Sequence, residues 1–301
     1  MTGAGARRAR GYVEIAVAAL TNGSIGVMVS YATMPAAMLL VLRMGVAGLA
    51  VGAVFVLGRG WRDFATPGAK WKLAAIGVVV AVNLFLYFLA IRYTGVAVAI
   101  FLSYMAPVYL AFVAPRLLGE PTEGIVYAAL GVALAGMIVI LVPGLLQQGA
   151  RLSPMGLFCG WGAGVAYAGY LVLSKSLRQH GAHSTTIVFS ECVVTAVLIL
   201  PIGLAQTVGS YSFTGRDLLM AALLGLLTTA FSFSLFAHGL RYVRVQHASI
   251  MGYLEPVSAP IYALLLLGQR PHAWTLVGGA LIIVAGVLVV AKGRVEEEIY
   301  G

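Results

Sequence analysis

The sequence predicts an all-α integral membrane protein of ten transmembrane helices, arranged as two inverted five-helix repeats. Three observations carry that prediction. First, 61% of the 301 residues are apolar and only 10% are charged, too little polar surface to coat a water-soluble globule of this length. Second, ten apolar segments are long enough to cross a hydrocarbon core as helices. Third, the chain resembles itself. Shifted by 149 residues, it superposes Arg92, Tyr93, Val96, Ala99, Tyr104, Pro107 and Val108 on Arg241, Tyr242, Val245, Ala248, Tyr253, Pro256 and Val257. Ala114, Leu117, Leu118 and Gly119 then match Ala263, Leu266, Leu267 and Gly268, giving 11 identities in 28 positions without a gap. An internal duplication is the economical reading.

In chain order the segments run at about Tyr12 to Thr33, Ala36 to Leu57, Lys72 to Ile91, Val96 to Ala114 and Gly124 to Val142 in the first copy. The second copy supplies Met155 to Ser174, Ser184 to Ala205, Asp217 to His238, His247 to Leu267 and Ala273 to Ala291. The copies divide the chain at residues 1–150 and 151–301. Connections are short and rich in Gly, Pro or charge, as at Leu118-Gly119-Glu120-Pro121, Val142-Pro143-Gly144 and Gly268-Gln269-Arg270-Pro271. The first run follows Arg7, Arg8 and Arg10 and turns straight into the next at Met34-Pro35, so it reads as a retained span and not as a cleaved leader. Cys159 and Cys192 fall inside spans, as small apolar side chains.

Lys and Arg set the expected orientation. With the N-terminus cytoplasmic, the inner side holds 14 of the 19: Arg7, Arg8, Arg10, Arg59, Arg62, Lys70, Lys72, Arg116, Lys175, Arg178, Arg241, Arg244, Lys292 and Arg294. The outer side holds 4, Arg92, Arg151, Arg216 and Arg270, and Arg43 lies within a span. The chain is then expected to be a multi-pass protein of the cell inner (plasma) membrane with both termini cytoplasmic. Five spans per copy is an odd number, so the second copy enters the membrane upside down. Inverted repeats of this kind are the architecture of many secondary transporters, with a site near the midplane between the halves. The net charge of +9 is scattered over short loops, which fits topology and does not indicate nucleic acid.

The stretches FLAIRYTGVAVAIFLSYMAPVYLAFVAPRLLGEPTEG and LFAHGLRYVRVQHASIMGYLEPVSAPIYALLLLGQRPHAWTLVGGALIIVAGVLVV resemble the two halves of an EamA-type member of the drug/metabolite transporter superfamily. The resemblance covers nearly the whole chain, through an alanine-rich fourth and ninth helix with an internal Pro, a Leu-Gly-Glu turn, and a Gly-rich fifth and tenth helix. It implies a ten-helix inner-membrane carrier exporting small metabolites, amino acid-like or drug-like, by alternating access. Two positions depart from the pattern: Gln269 replaces the second Glu of the turn, and Thr21-Asn22-Gly23 stands where the family often has a Trp-Gly pair. Arg43 matches the arginine often seen in the family's second helix, where it attracts an anionic group or snorkels outward.

Candidate site residues cluster by helical geometry. Pro107 and Pro256 lie mid-span in the repeated helices, each serving as a hinge or as a static kink. Ala248, Gly252, Glu255 and Ala259 form a small-residue stripe that lets a helix or water approach Glu255, a carboxylate that would couple protons, bind an ammonium group or serve as a structural acid. Asn83 superposes on Ser232 and Tyr87 on Phe236, with Thr228 one turn before Ser232, so these polar groups occupy equivalent depths as a pathway on a two-fold axis requires, or else the hydroxyls bond back to helix carbonyls and Asn83 bridges helices. Asn22 and Ser24 mark a similar spot in the first helix. Glu191 and Glu14 are further coupling candidates. Arg43 and Glu191 each lie about 10 Å deep from opposite ends, so a direct pair is not expected without tilt. Tyr104, Trp161, Tyr167 and Tyr253 are aromatic candidates for the pathway or for packing.

No metal-ligand, nucleophile-elbow or P-loop spacing is present. No cofactor is expected, and the intended partners are a small-molecule substrate and the lipid bilayer, with proton coupling open. A passive channel of the same fold, and less so an intramembrane enzyme, stand as alternatives. The sequence sets no oligomeric state.

Overall fold

The computed structural model describes residues 3–65, 68–148, 153–207, 209 and 211–293. The repeat boundary at 150/151 and the topogenic residues Arg151 and Arg294 lie outside them. Among the described residues, ten helices are long and apolar enough to cross a membrane: α1 Gly5–Tyr31, α2 Ala36–Leu57, α3 Ala69–Thr94, α4 Val96–Leu117, α5 Gly124–Leu141, α6 Pro154–Gln179, α7 Ser184–Thr207, α8 Gly215–Gly239, α9 Val245–Leu267 and α10 Ala273–Lys292.

Pairing between helices shows a two-fold pattern. An axis that exchanges the copies maps α1 to α6, α2 to α7, α3 to α8, α4 to α9 and α5 to α10. Helices α2 and α7 pack on each other, as do α5 and α10, and the α3–α6 interface is matched by α1–α8. The first half of α9 packs on the second half of α4, which is the antiparallel contact that inversion demands. At the centre the repeat-equivalent Tyr104 and Tyr253 stack with ring centroids 5.8 Å apart. The Tyr253 hydroxyl donates to the Tyr104 carbonyl at 2.6 Å, across the same 149-residue offset that aligns the copies.

Small residues allow the closest crossings, because helices in lipid gain by van der Waals contact and backbone approach. A Cβ on Gly136 of α5 would sit 2.6 Å from the Gly278 carbonyl of α10. Helix ends are equally local in origin. Gly119 and Gly268, equivalent positions after α4 and α9, both take φ 67, the left-handed turn that terminates a helix and that Gly enters without a Cβ penalty. Helix α8 begins with a capping box, Thr214 Oγ1 accepting from Asp217 N at 3.1 Å, which satisfies two otherwise unpaired N–H groups. Asp217 also accepts from the backbone N–H groups of Thr33 and Met34 at 2.7 and 3.2 Å, fixing the α1–α2 turn.

Three spans are interrupted. Helix α1 breaks at Gly23-Ser24; α4 divides into Val96–Ser103 and Ala106–Leu117; α9 divides into Val245–Met251 and Leu254–Leu267. Helix α8 winds wide, with π-type turns over Leu224–Phe231. Pro107 and Pro256 lie in the first turn of the second half-helices, where a missing N–H costs no intrahelical bond. They start new helical segments, where the sequence alone suggested bends in continuous ones.

Candidate functional site

The breaks in α4 and α9 meet at the two-fold axis, where Tyr104 stacks on Tyr253 and Glu255 follows two residues on. Glu255 opens the second half of α9 and is half-buried. Its carboxylate acts electrostatically on Tyr104, Tyr87 and Tyr167. Groups from α3, α4 and α6 therefore surround one carboxylate on α9. The N-terminal ends of the two second half-helices, at Ala106 and Leu254, bring partial positive charge to the same region, which favours a carboxylate or an anionic solute group.

Arg43 of α2 supplies the full positive charge. Its Nε donates to Thr229 Oγ1 at 2.7 Å, and its guanidinium carbon lies 5.8 Å from the Phe233 ring centroid, within cation–π range. Thr229 and Phe233 are one turn apart on α8, so a single helix face aims the guanidinium. Arg43 interacts electrostatically with Glu255 and Glu191. Neither carboxylate forms a salt bridge with it within 4.0 Å among the described residues. Glu191 is fully buried with no hydrogen-bond partner on either oxygen. Arg43, Tyr87, Tyr104, Tyr167 and Glu255 are all half-buried. A cation and an anion are thus coupled electrostatically without a salt bridge, and three half-buried tyrosines are coupled to the same carboxylate.

The remaining candidates fall into two groups. Asn83 donates from Nδ2 to the Ala163 carbonyl at 2.7 Å, and Ser232 donates to the Ala18 carbonyl at 2.8 Å. These bonds are the same joint twice, α3 to α6 and α8 to α1. Asn83 stays half-buried, whereas Ser232 is completely buried. Thr228 is also buried and donates back to the Leu224 carbonyl at 2.8 Å, a local bond common for helical Thr. In this conformation Ser232 joins α8 to α1, Thr228 bonds within α8, and both are completely buried, each hydroxyl spent on a backbone carbonyl. Trp161 is half-exposed beside Phe158, ring centroids 6.1 Å apart, as an ordinary aromatic on the outer surface of a membrane helix is.

Asn22 stands half-buried at the α1 break with its Oδ1 lacking a partner, and Ser24 donates to the Thr21 carbonyl at 2.7 Å. Between them Gly23 packs on α9; a Cβ there would meet Ala259 N at 2.8 Å and the Glu255 carbonyl at 2.9 Å. Glu14 is held by Arg10 Nε and His238 Nδ1, both at 2.7 Å, near the face where α1 begins. It is a hydrogen-bonded joint between α1 and α8, remote from the central cluster in sequence depth.

Comparison with known proteins decides the class. The family model described as the EamA-like transporter family matches residues 9–142 and again 154–291. The chain belongs to the EamA-like transporter family. EamA relatives share its length as well as its pattern. A protein of Archaeoglobus fulgidus named as an uncharacterized transporter is 37% identical over 67% of this chain and 70% of its own. The pseudopaline exporter CntI of Pseudomonas aeruginosa is 27% identical over 84% of this chain and 86% of its own. A solved crystal structure, 21% identical, superposes with a TM-score of 0.80 over 95% of this chain and 99% of that one, showing the fold. This is a multi-pass membrane transporter of ten helices.

Thr229 and Phe233, which aim Arg43, were not among the sequence candidates. Their signal was present as the i, i+4 pair facing an intramembrane arginine. The pairing of Lys175 with Glu120 was likewise missed, because both residues read as loop-side charges.

Proposed function

We propose that the chain is a secondary carrier that exports small metabolites bearing both an ammonium and a carboxylate group, amino acid-like or drug-like, across the cytoplasmic membrane by alternating access. The observation that supports this most is the electrostatic coupling of Arg43 and Glu255, both half-buried, without a mutual salt bridge among the described residues. Separated opposite charges in a low-dielectric interior are costly. A zwitterionic solute offsets both at once, its carboxylate on Arg43 and its ammonium on Glu255. Tyr87, Tyr104 and Tyr167 add ring faces for the ammonium group. Export as the direction draws on the relative named as an exporter. The charge distribution, 14 basic residues on one side and 4 on the other, supports cytoplasmic termini.

Glu191 and Glu255 are the groups through which proton movement would couple to solute in this reading. The pathway runs between α1, α3, α4, α6, α8 and α9, and the division of labour follows the two repeats, residues 1–150 and 151–301. Arg43→Gln and Glu255→Gln test the site in an untargeted comparison of metabolites in medium and cells under overexpression. Wild type should enrich at least one zwitterionic solute in the medium, and each variant should lose most of that enrichment. Equal enrichment with both variants would place the site elsewhere.

A further inference from the structure

The face on which α1 begins and α10 ends is closed by a buried ionic network that has no counterpart at the opposite face among the described residues. Lys175 Nζ, at the end of α6, lies 2.9 Å from Glu120 Oε1 of the α4–α5 turn. The same ammonium donates to the Leu240 and Val243 carbonyls at 2.9 and 2.8 Å, in the α8–α9 turn. Glu120 Oε2 accepts from Val245 N at 2.8 Å, the first residue of α9. Arg244 adds bonds to the Pro121 carbonyl and to Glu123. His247 Nδ1 sits 2.6 Å from the Tyr12 hydroxyl of α1. Lys175 and Glu120 are both about 1% exposed, so the pair is shielded from water and salt.

The duplication makes an internal control. The first half of α9 and the first half of α4 are repeat-equivalent and sit at opposite faces. Exact two-fold symmetry would bury them equally, so a difference in burial marks the two faces as unlike. Every residue of Val245–Met251 is buried, whereas only Val98 and Ala99 are buried in Val96–Ser103. The chemistry differs in the same sense. Gln269, the repeat counterpart of Glu120, is exposed, and neither segment of α1 carries a basic residue in its last turn to play the part of Lys175.

We infer that the Glu120–Lys175 pair is a latch that holds the pathway shut at the face bearing the start of α1 and the end of α10, and that its one-sidedness makes the conformation open to the opposite face the resting state. Release of the pair frees the α4–α5 turn from the α8–α9 turn, letting the half-helices of α4 and α9 exchange environments. The inference rests on the carrier reading of the central site. Its test needs no solute, so its failure is distinguishable from failure of that reading.

Cysteine accessibility provides the test, in full-length chain with Cys159 and Cys192 replaced by Ala. Ser249→Cys and its repeat counterpart Ile100→Cys are each treated with a membrane-impermeant maleimide, in vesicles of both orientations. Ile100→Cys should react from its own face and Ser249→Cys should resist. Adding Glu120→Gln should raise the Ser249→Cys rate about tenfold or more and lower that of Ile100→Cys, as a population shift requires. Lys175→Gln, which breaks the pair from the other side, should move both rates in the same senses. Unchanged rates with either variant overturn the latch, and so does a rise at both positions, which is local unfolding.

Discussion

At Tyr253 a single hydroxyl ties the two copies together, because its donor bond ends on the carbonyl of its own counterpart, Tyr104, at 2.6 Å. The break in α4 is what leaves a carbonyl free to accept there. Tyr253→Phe keeps the ring stack and removes the bond, and a buried hydrogen bond contributes about 1 kcal/mol. The variant should therefore melt about 2 to 4 °C lower in detergent; an unchanged melting temperature would show that the bond carries no net stability. How such residues could be read in advance varied with their chemistry. Tyr104, Tyr253 and Glu255 stood out because repetition or an intramembrane charge marked them. Ser232 and Thr228 were marked by polarity alone, and polarity cannot tell a hydroxyl facing water from one spent on a neighbouring carbonyl such as that of Ala18.

At the scale of elements, two contacts decide how helices meet. Gly23 lets the broken α1 lie against the α9 backbone, whereas Gly26, one turn on, has open space around it. Gly23→Leu should sharply lower folded yield and transport while Gly26→Leu leaves both close to wild type; similar behaviour of the pair in yield and efflux assays would dissolve the close-packing argument. The turn between α2 and α3 is pinned by Asp63, which accepts from His183 N at 2.8 Å. Burial by itself would raise the Asp63 carboxyl, but hydrogen bonds from Thr186 and His183 outweigh it and hold the group below the usual carboxylate range. Its contribution is therefore complete above the unfolded value of about 3.9 and is lost as pH falls through the lower folded value. Asp63→Asn should melt below wild type at pH 7, with the gap closing below about pH 4. A gap that persists in acid would assign the effect to something other than the carboxylate. The ten spans themselves were legible within a few residues, since apolar length and Gly or Pro punctuation determine where helices run. The interruptions at Gly23 and Gly252 were not, because a Pro in the pattern signals a bend and does not say on which side the backbone opens.

At the scale of the whole molecule, duplication and inversion place Arg43, Glu255 and the tyrosines at one centre, and a carrier follows if that centre is reached from one face at a time. A channel of the same fold would be open to both. Counterflow separates them: proteoliposomes loaded with the unlabelled solute that overexpression enriches in the medium are given a trace of labelled solute outside. The carrier account predicts transient accumulation of label above its external concentration, abolished by Glu255→Gln. Rapid equilibration of label without any overshoot would contradict it.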